Sequence, residues 1–69
     1  MEFDLEQREF IELNKLLKLL GWVESGGQAN MIITEGDVYV NNDQEFRKRR
    51  KLKKGDVVSF NGQNVTIFS

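Results

Sequence analysis

A chain of 69 residues without a single cysteine or histidine has no staple available, since no disulfide can close it and no zinc set can nucleate it. Whatever it folds into must rest on its own hydrophobic core. Hydrophobic residues make up 39% and charged residues 30%, with no proline, a balance too apolar for a disordered tail. At this length one domain over 1–69 is expected, with no second module. No apolar run approaches the ~18–20 residues that cross a bilayer, and Met1-Glu2-Phe3-Asp4 has no basic region leading into an apolar stretch. A cytoplasmic, membrane-free protein is the expectation, and the missing cysteine agrees with a reducing compartment.

The hydrophobic periodicity divides the chain. Leu13, Leu16, Leu17 and Leu20 recur at three- and four-residue spacings and predict a helix over 12–20, with Lys15 and Lys18 on the opposite side and Gly21 as its left-handed stop. Phe10-Ile11 fits either a short strand or the entry into that helix. After Trp22-Val23-Glu24, Ser25 is a favoured N-cap, Ala29, Ile32 and Ile33 keep helical spacing, and Gly36 terminates a second helix over 26–35. So short a connection packs the two helices on each other, with Trp22 filling the corner.

Beyond Gly36 the period becomes two. Val38 and Val40 face one way, and Asp37, Tyr39 and Asn41 the other. Asn41-Asn42-Asp43 has turn chemistry, with a return strand expected near Glu45–Arg47. Lys54-Gly55-Asp56 predicts a further turn, and Val57–Phe60 and Val65–Phe68 a final hairpin joined by Asn61–Asn64. The fold class is α+β: two packed N-terminal helices, then a small antiparallel sheet.

The net charge of −1 conceals an asymmetry. Residues 1–37 carry eight acids against three bases, a balance of −5, and residues 38–69 carry three acids against seven bases, a balance of +4. All seven bases fall in Arg47-Lys48-Arg49-Arg50-Lys51-Leu52-Lys53-Lys54. Such a run repels itself, which suggests that something anionic is met there. The plainer alternative is a solvated surface loop. Because Gly55-Asp56-Val57-Val58 follows at once, the charges flank packed structure rather than a free terminus.

Enzyme chemistry lacks its parts. Without His or Cys there is no imidazole base, thiolate or zinc set, the acids form no recognisable pair, and no phosphate-binding loop or dinucleotide fingerprint occurs. No catalytic residue, metal or cofactor is expected. Ser25-Gly26-Gly27-Gln28-Ala29 is more informative. Two glycines in a first helical turn cost roughly 1 kcal/mol each relative to alanine. Close approach of an anion to the unpaired amides is one reason to keep them. A tight bend at the helix corner is the other.

Leu16-Leu17-Lys18-Leu19, Gly21, Ser25–Ala29, Ile33, Glu35-Gly36-Asp37-Val38-Tyr39-Val40-Asn41, Arg47–Leu52 and Gly55-Asp56-Val57-Val58 together resemble the S-four-type RNA-binding domain, named after a small-subunit ribosomal protein. The likeness spans about residues 10–60 and is nearest to the YbcJ-like stand-alone bacterial branch. It implies the αL motif, in which two helices pack on a small antiparallel sheet and RNA meets the helix pair and the adjoining basic strand or loop. The family's basic positions fall on Lys18, Arg47, Lys48, Arg49, Arg50 and Lys51, and its glycine pair on Gly26 and Gly27. Two departures stand out. Many members of the wider family have Arg where this chain has Gly26, and the nearer branch often has Lys where Asn30 stands, which moves the expected weight onto Arg47–Lys54, with Gln28 and Asn30 as hydrogen-bonding partners.

The resemblance and the residues agree on a non-catalytic binder of structured RNA, ribosomal or transfer, working as a component of the ribosome or another ribonucleoprotein. The residues expected to meet RNA are Lys15, Lys18, Ser25, Gly26, Gly27, Gln28, Asn30, Arg47, Lys48, Arg49, Arg50, Lys51 and Lys54. Duplex DNA fits less well, because Gln28 and Asn30 are too few to read a major groove. Two alternatives use the same residues. One is a protein-interaction or anionic-surface module built on the basic run, and the other a β-grasp domain of the TGS type.

Overall fold

The computed structural model describes residues 1–69. The leucine spacing produces helix α1 (Leu13–Leu19), which buries Leu13, Leu16 and Leu17. Helix α2 (Gly26–Thr34) buries Ala29, Ile32 and Ile33. Helix α1 is shorter than the periodicity predicts by one residue at each end and α2 by one at its C-terminal end, and both stop in the same way. At Gly21 (φ +75°) the amides of Gly21 and Trp22 donate to the carbonyls of Lys18 and Leu17, and at Gly36 (φ +85°) those of Gly36 and Asp37 donate to Ile33 and Ile32. This paired closure satisfies the last carbonyls and needs a left-handed residue, which glycine adopts without a Cβ penalty.

The strands, in chain order, are β1 (Glu2–Asp4), β2 (Ile11–Glu12), β3 (Val38–Val40), β4 (Asp43–Gln44), β5 (Lys51–Leu52), β6 (Val57–Phe60) and β7 (Gln63–Phe68). Five form a sheet in the order β1-β7-β6-β3-β4, and β2 pairs with β5 in a separate ribbon. The fold is α+β, as the sequence predicts, with two differences. The helices are preceded by strands, and β1 runs parallel to β7, pairing Phe3 with Ile67, so the sheet is mixed rather than antiparallel throughout.

Two turns are tighter than expected. Asn41 and Asn42 both adopt positive φ (53° and 72°), so the return strand starts at Asp43, opposite Val40, rather than at Glu45. A two-residue turn in which both residues have positive φ follows the twist of a hairpin and leaves no slack. Asn61 and Gly62 (φ 53° and 79°) turn the final hairpin in the same way, which places Gln63 and Asn64 inside β7. The remaining strand reading holds, with Val38 and Val40 buried and Tyr39 exposed between them.

The helices contribute their apolar stripes, and the sheet contributes Val38, Val40, Val58, Val65 and Ile67, to one cluster of 15 buried hydrophobic residues. Leu52 joins it from β5 and Leu5 from the segment after β1. Trp22 packs half-buried at the corner, its ring 6.4 Å from that of Phe60. Fully burying a side chain of this kind is worth ~1.5–3 kcal/mol, and that packing holds a helix pair too short to be stable by itself.

Candidate functional site

Helix α1 begins without a side-chain cap, since Glu12 at its N-cap makes no capping hydrogen bond. The missing acceptors come from the basic segment. The amide of Leu13 donates to the carbonyl of Arg50 (2.9 Å) and that of Asn14 to the carbonyl of Lys48 (3.0 Å). A helix start leaves its first amides unpaired, and here they become the anchor of a loop that repels itself. The anchoring continues through β2–β5, where Ile11 lies opposite Leu52 and Glu12 opposite Lys51, with Leu52 fully buried. Downstream, Asp56 closes the segment by accepting from the amide of Lys53 (2.8 Å) and from Asn41 Nδ2 (3.0 Å).

Inside the loop sits one counter-charge. Glu45 is only 5% exposed, although it is an acid. Its Oε2 accepts from Arg47 Nε (2.9 Å) and the Arg47 amide (3.0 Å), and its Oε1 from Arg47 Nη2 (3.1 Å) and Arg50 Nη1 (2.5 Å). The side-chain hydrogen bonds from Arg47 hold this carboxyl down at about 2, against burial, which pushes the other way; the Arg47 amide and Arg50 add to the lowering. A buried acid is tolerable only when its oxygens are satisfied in this manner. Its effect is to fix two arginines, at Arg47 and Arg50.

Around that centre, Arg47, Arg49, Arg50, Lys51 and Lys53 line one open groove of about 480 Å³, with no hydrophobic residue in its lining. Of these five, Arg47 and Arg50 are paired with Glu45 and the other three form no salt bridge, so the groove keeps a strong positive field. The Lys51 ammonium is further placed by the ring of Phe10, 4.9 Å away. Lys48 and Lys54 are exposed but do not line the groove. Lys53, absent from the expected set, does. Strand alternation explains the exchange, because with Leu52 pointing into the core, Lys51 and Lys53 fall on the opposite side.

The start of α2 is organised locally. Ser25 Oγ accepts from the Gln28 amide (3.1 Å), and Gln28 Oε1 accepts from the Glu24 amide (2.8 Å), a reciprocal cap. The side-chain oxygen of Gln28 is therefore occupied. The amides of Gly26 and Gly27 have no acceptor in the protein. Neither glycine has a positive φ, and a Cβ would meet nothing within 4 Å at Gly26 and only Ser25 Oγ, at 3.9 Å, at Gly27. A tight bend therefore does not account for the pair, and the space beside both glycines is open.

Asn30, expected as a hydrogen-bonding partner of RNA, already makes one side-chain bond within the protein. It is half-buried, and its Oδ1 accepts from Asn14 Nδ2 (3.1 Å), joining the two helices; Asn14 Oδ1 is buried with no partner. This bridge also relates the two regions of positive potential. Asn14 is bonded to Lys48 in the basic loop, and Gly26 and Gly27 lie about one helical turn before Asn30. The groove lining includes no residue of α2, and the Asn14–Asn30 pair links the two regions. Lys15 is exposed and lies 3.8 Å from Glu12, and Lys18 is exposed near the end of α1.

Glu45 stands outside the set of residues that the sequence singles out. Its only signal there is that of a lone acid two residues before the basic run, on the strand side where an inward residue would fall.

Two short helices packed on a mixed sheet, with a basic loop tied to the first helix, define a small α+β domain of the S4 type. The chain matches the S4 domain model over residues 3–68 and belongs to that family. It is 48% identical over 65 residues to YbcJ of Escherichia coli K12, a candidate RNA-binding protein by name, covering 94% of this chain and 93% of that one. It is 43% identical over 54 residues to RlbA of Bacillus subtilis 168, by name a candidate ribosome maturation protein, covering 78% of this chain and 76% of that one. The solution structure of E. coli YbcJ, described as revealing an αL motif involved in RNA binding, superposes with a TM-score of 0.75 at 46% identity, covering 99% of this chain and 86% of that chain.

Proposed function

We propose that this protein is a non-catalytic RNA-binding protein that recognises structured RNA through the groove of Arg47, Arg49, Arg50, Lys51 and Lys53, assisted by the start of α2. The observation that carries this reading is the single groove lined by five cations, two of which, Arg47 and Arg50, are fixed by one buried carboxylate. Lys and Arg neutralise phosphates and release their counterions, which supplies affinity with little sequence preference. Selectivity then falls to shape, because a folded RNA presents phosphates, 2′-hydroxyls and unstacked bases in a fixed arrangement. The names of YbcJ and RlbA support the same partner, and the latter favours a ribonucleoprotein setting in the cytoplasm. A binder rather than an enzyme is also what the residues favour, since the one buried acid is taken up by two arginines.

The test is a salt titration of binding to ribosomal RNA fragments. Arg49→Gln, Lys51→Gln and Lys53→Gln leave the partners of Glu45 in place. Each single-strand phosphate that is no longer neutralised should lower the log–log salt slope by about 0.7, so the triple variant should bind with a slope lower by about 2. An unchanged slope would remove the groove from the reading. Crosslinking in cells followed by sequencing of the bound RNA identifies the target.

A further inference from the structure

We infer that Phe46 is a stacking platform for an unpaired base of RNA lying in the basic groove, an inference that rests on the RNA reading above. Phe46 is 54% exposed, the most exposed aromatic residue of the chain, whereas Tyr39 is 40% and Phe68 38% exposed. It immediately precedes Arg47, so the ring is rooted about 3.8 Å along the chain from the first groove arginine. Phe10, the other aromatic beside the basic segment, already carries the Lys51 ammonium. Phe46 carries no cation.

The backbone that carries the ring is held on both sides, and one edge of the ring is in contact with the protein. On one side of it the Glu45 amide donates to Val38 (2.9 Å), and on the other the Arg47 amide donates to Glu45 Oε2 (3.0 Å). Its far edge rests on Gly36, where an added Cβ would meet Cε1 at 3.1 Å and Cζ at 3.5 Å. Root and tip are held while more than half the residue stays open to solvent. Proteins that grip unpaired nucleic acid combine a cationic track with aromatic rings on which bases stack. A protein partner fits this place less well, because the cores of protein interfaces are depleted of charge and this ring adjoins a run of cations.

The experiment compares wild type, Phe46→Ala, Phe46→Leu and Phe46→Trp for binding to a short single-stranded oligoadenylate and to an RNA duplex of equal length. Phe46→Leu keeps apolar cover over Gly36 but has no π-face, so it separates packing from stacking. Both Ala and Leu should weaken oligoadenylate binding by about 5- to 100-fold and leave duplex binding within about twofold, at unchanged melting temperature for Leu. Phe46→Trp should bind as well as wild type or better, with its fluorescence quenched by oligoadenylate. Wild-type affinity in Phe46→Leu, equal losses on both RNAs, or an unquenched tryptophan would overturn the stacking role and leave groove binding intact. If wild type binds neither RNA, both readings fall together.

Discussion

The basic groove and the first turn of α2 both offer positive potential to the same solvent, but they are made in different ways. At α2 the field comes from backbone amides, and everything that shapes it lies between Glu24 and Gln28. In the groove it comes from side chains that repel one another, and what holds them includes elements far off in the chain, the first amides of α1 and the β2–β5 pairing, as well as Glu45 just before the run. A helix terminus carries its charge as a property of the helix. A cationic groove needs a buried counter-charge and a neighbour with unpaired donors before its charges stay together.

On that contrast, removing Glu45 should be the most damaging change in either region. Glu45→Ala frees Arg47 and leaves Arg50, already three-quarters covered, without its partner. The cost should be about 2–3 kcal/mol, less than for a fully buried pair because Arg47 is largely exposed, against a total stability of roughly 3–10 kcal/mol for a domain of this size. The melting temperature should fall by roughly 10–20 °C. Affinity for RNA should drop as well, although the variant gains net positive charge. Tighter binding by Glu45→Ala would show that the carboxylate merely neutralises the groove.

Acid sharpens the same point. Because the Glu45 carboxyl is held at about 2 in the fold, against 4.5 otherwise, its ionised form favours the folded state. That contribution is complete above about pH 4.5 and fades as the pH falls towards 2. Urea unfolding of wild type and Glu45→Gln should therefore differ by a constant amount, about 2 kcal/mol once the exposure of Arg47 is allowed for, from neutrality down to about pH 5. The two curves should converge near pH 2. A gap that persists in acid would mean that Glu45 acts through packing instead.

The smallest effect belongs to α2, and there stability and binding should move in opposite directions. Gly27→Asp puts an acid in a first helical turn that has none, in open space, which should raise stability by about 0.3–1 kcal/mol. If an RNA phosphate approaches those amides, the carboxylate should weaken binding several-fold. Circular dichroism melts and RNA titrations on the same sample read both. Binding that stays at wild-type strength would confine the interface to the groove.

How far the site is legible in the sequence follows the same division. Ser25, Gly26, Gly27 and Gln28 can be read there because capping and helix periodicity act within four residues. The basic run is visible as composition, but its arrangement is not. Lys53 replaces Lys54 in the groove because Leu52 is drawn into the core, and the Asn30 side-chain oxygen is engaged because Asn14 reaches it from another helix. Hydrophobic pattern puts Glu45 in a return strand, because the positive φ of two asparagines, which tightens the turn, leaves no trace in that pattern. Likewise β1 is silent in the sequence because its three residues gain meaning only beside β7, some sixty positions away.

The sequence by itself determined the helix pair, its caps and stops, the valine strands and the presence of a concentrated positive charge, since these follow from periods and local hydrogen bonds that a short window contains. Tertiary structure alone decided which cations share a groove, how completely the acid that holds two of them is buried and which aromatic stands open to solvent. Long-range burial settles where a side chain points, and electrostatic attraction acts on that direction rather than on position along the chain.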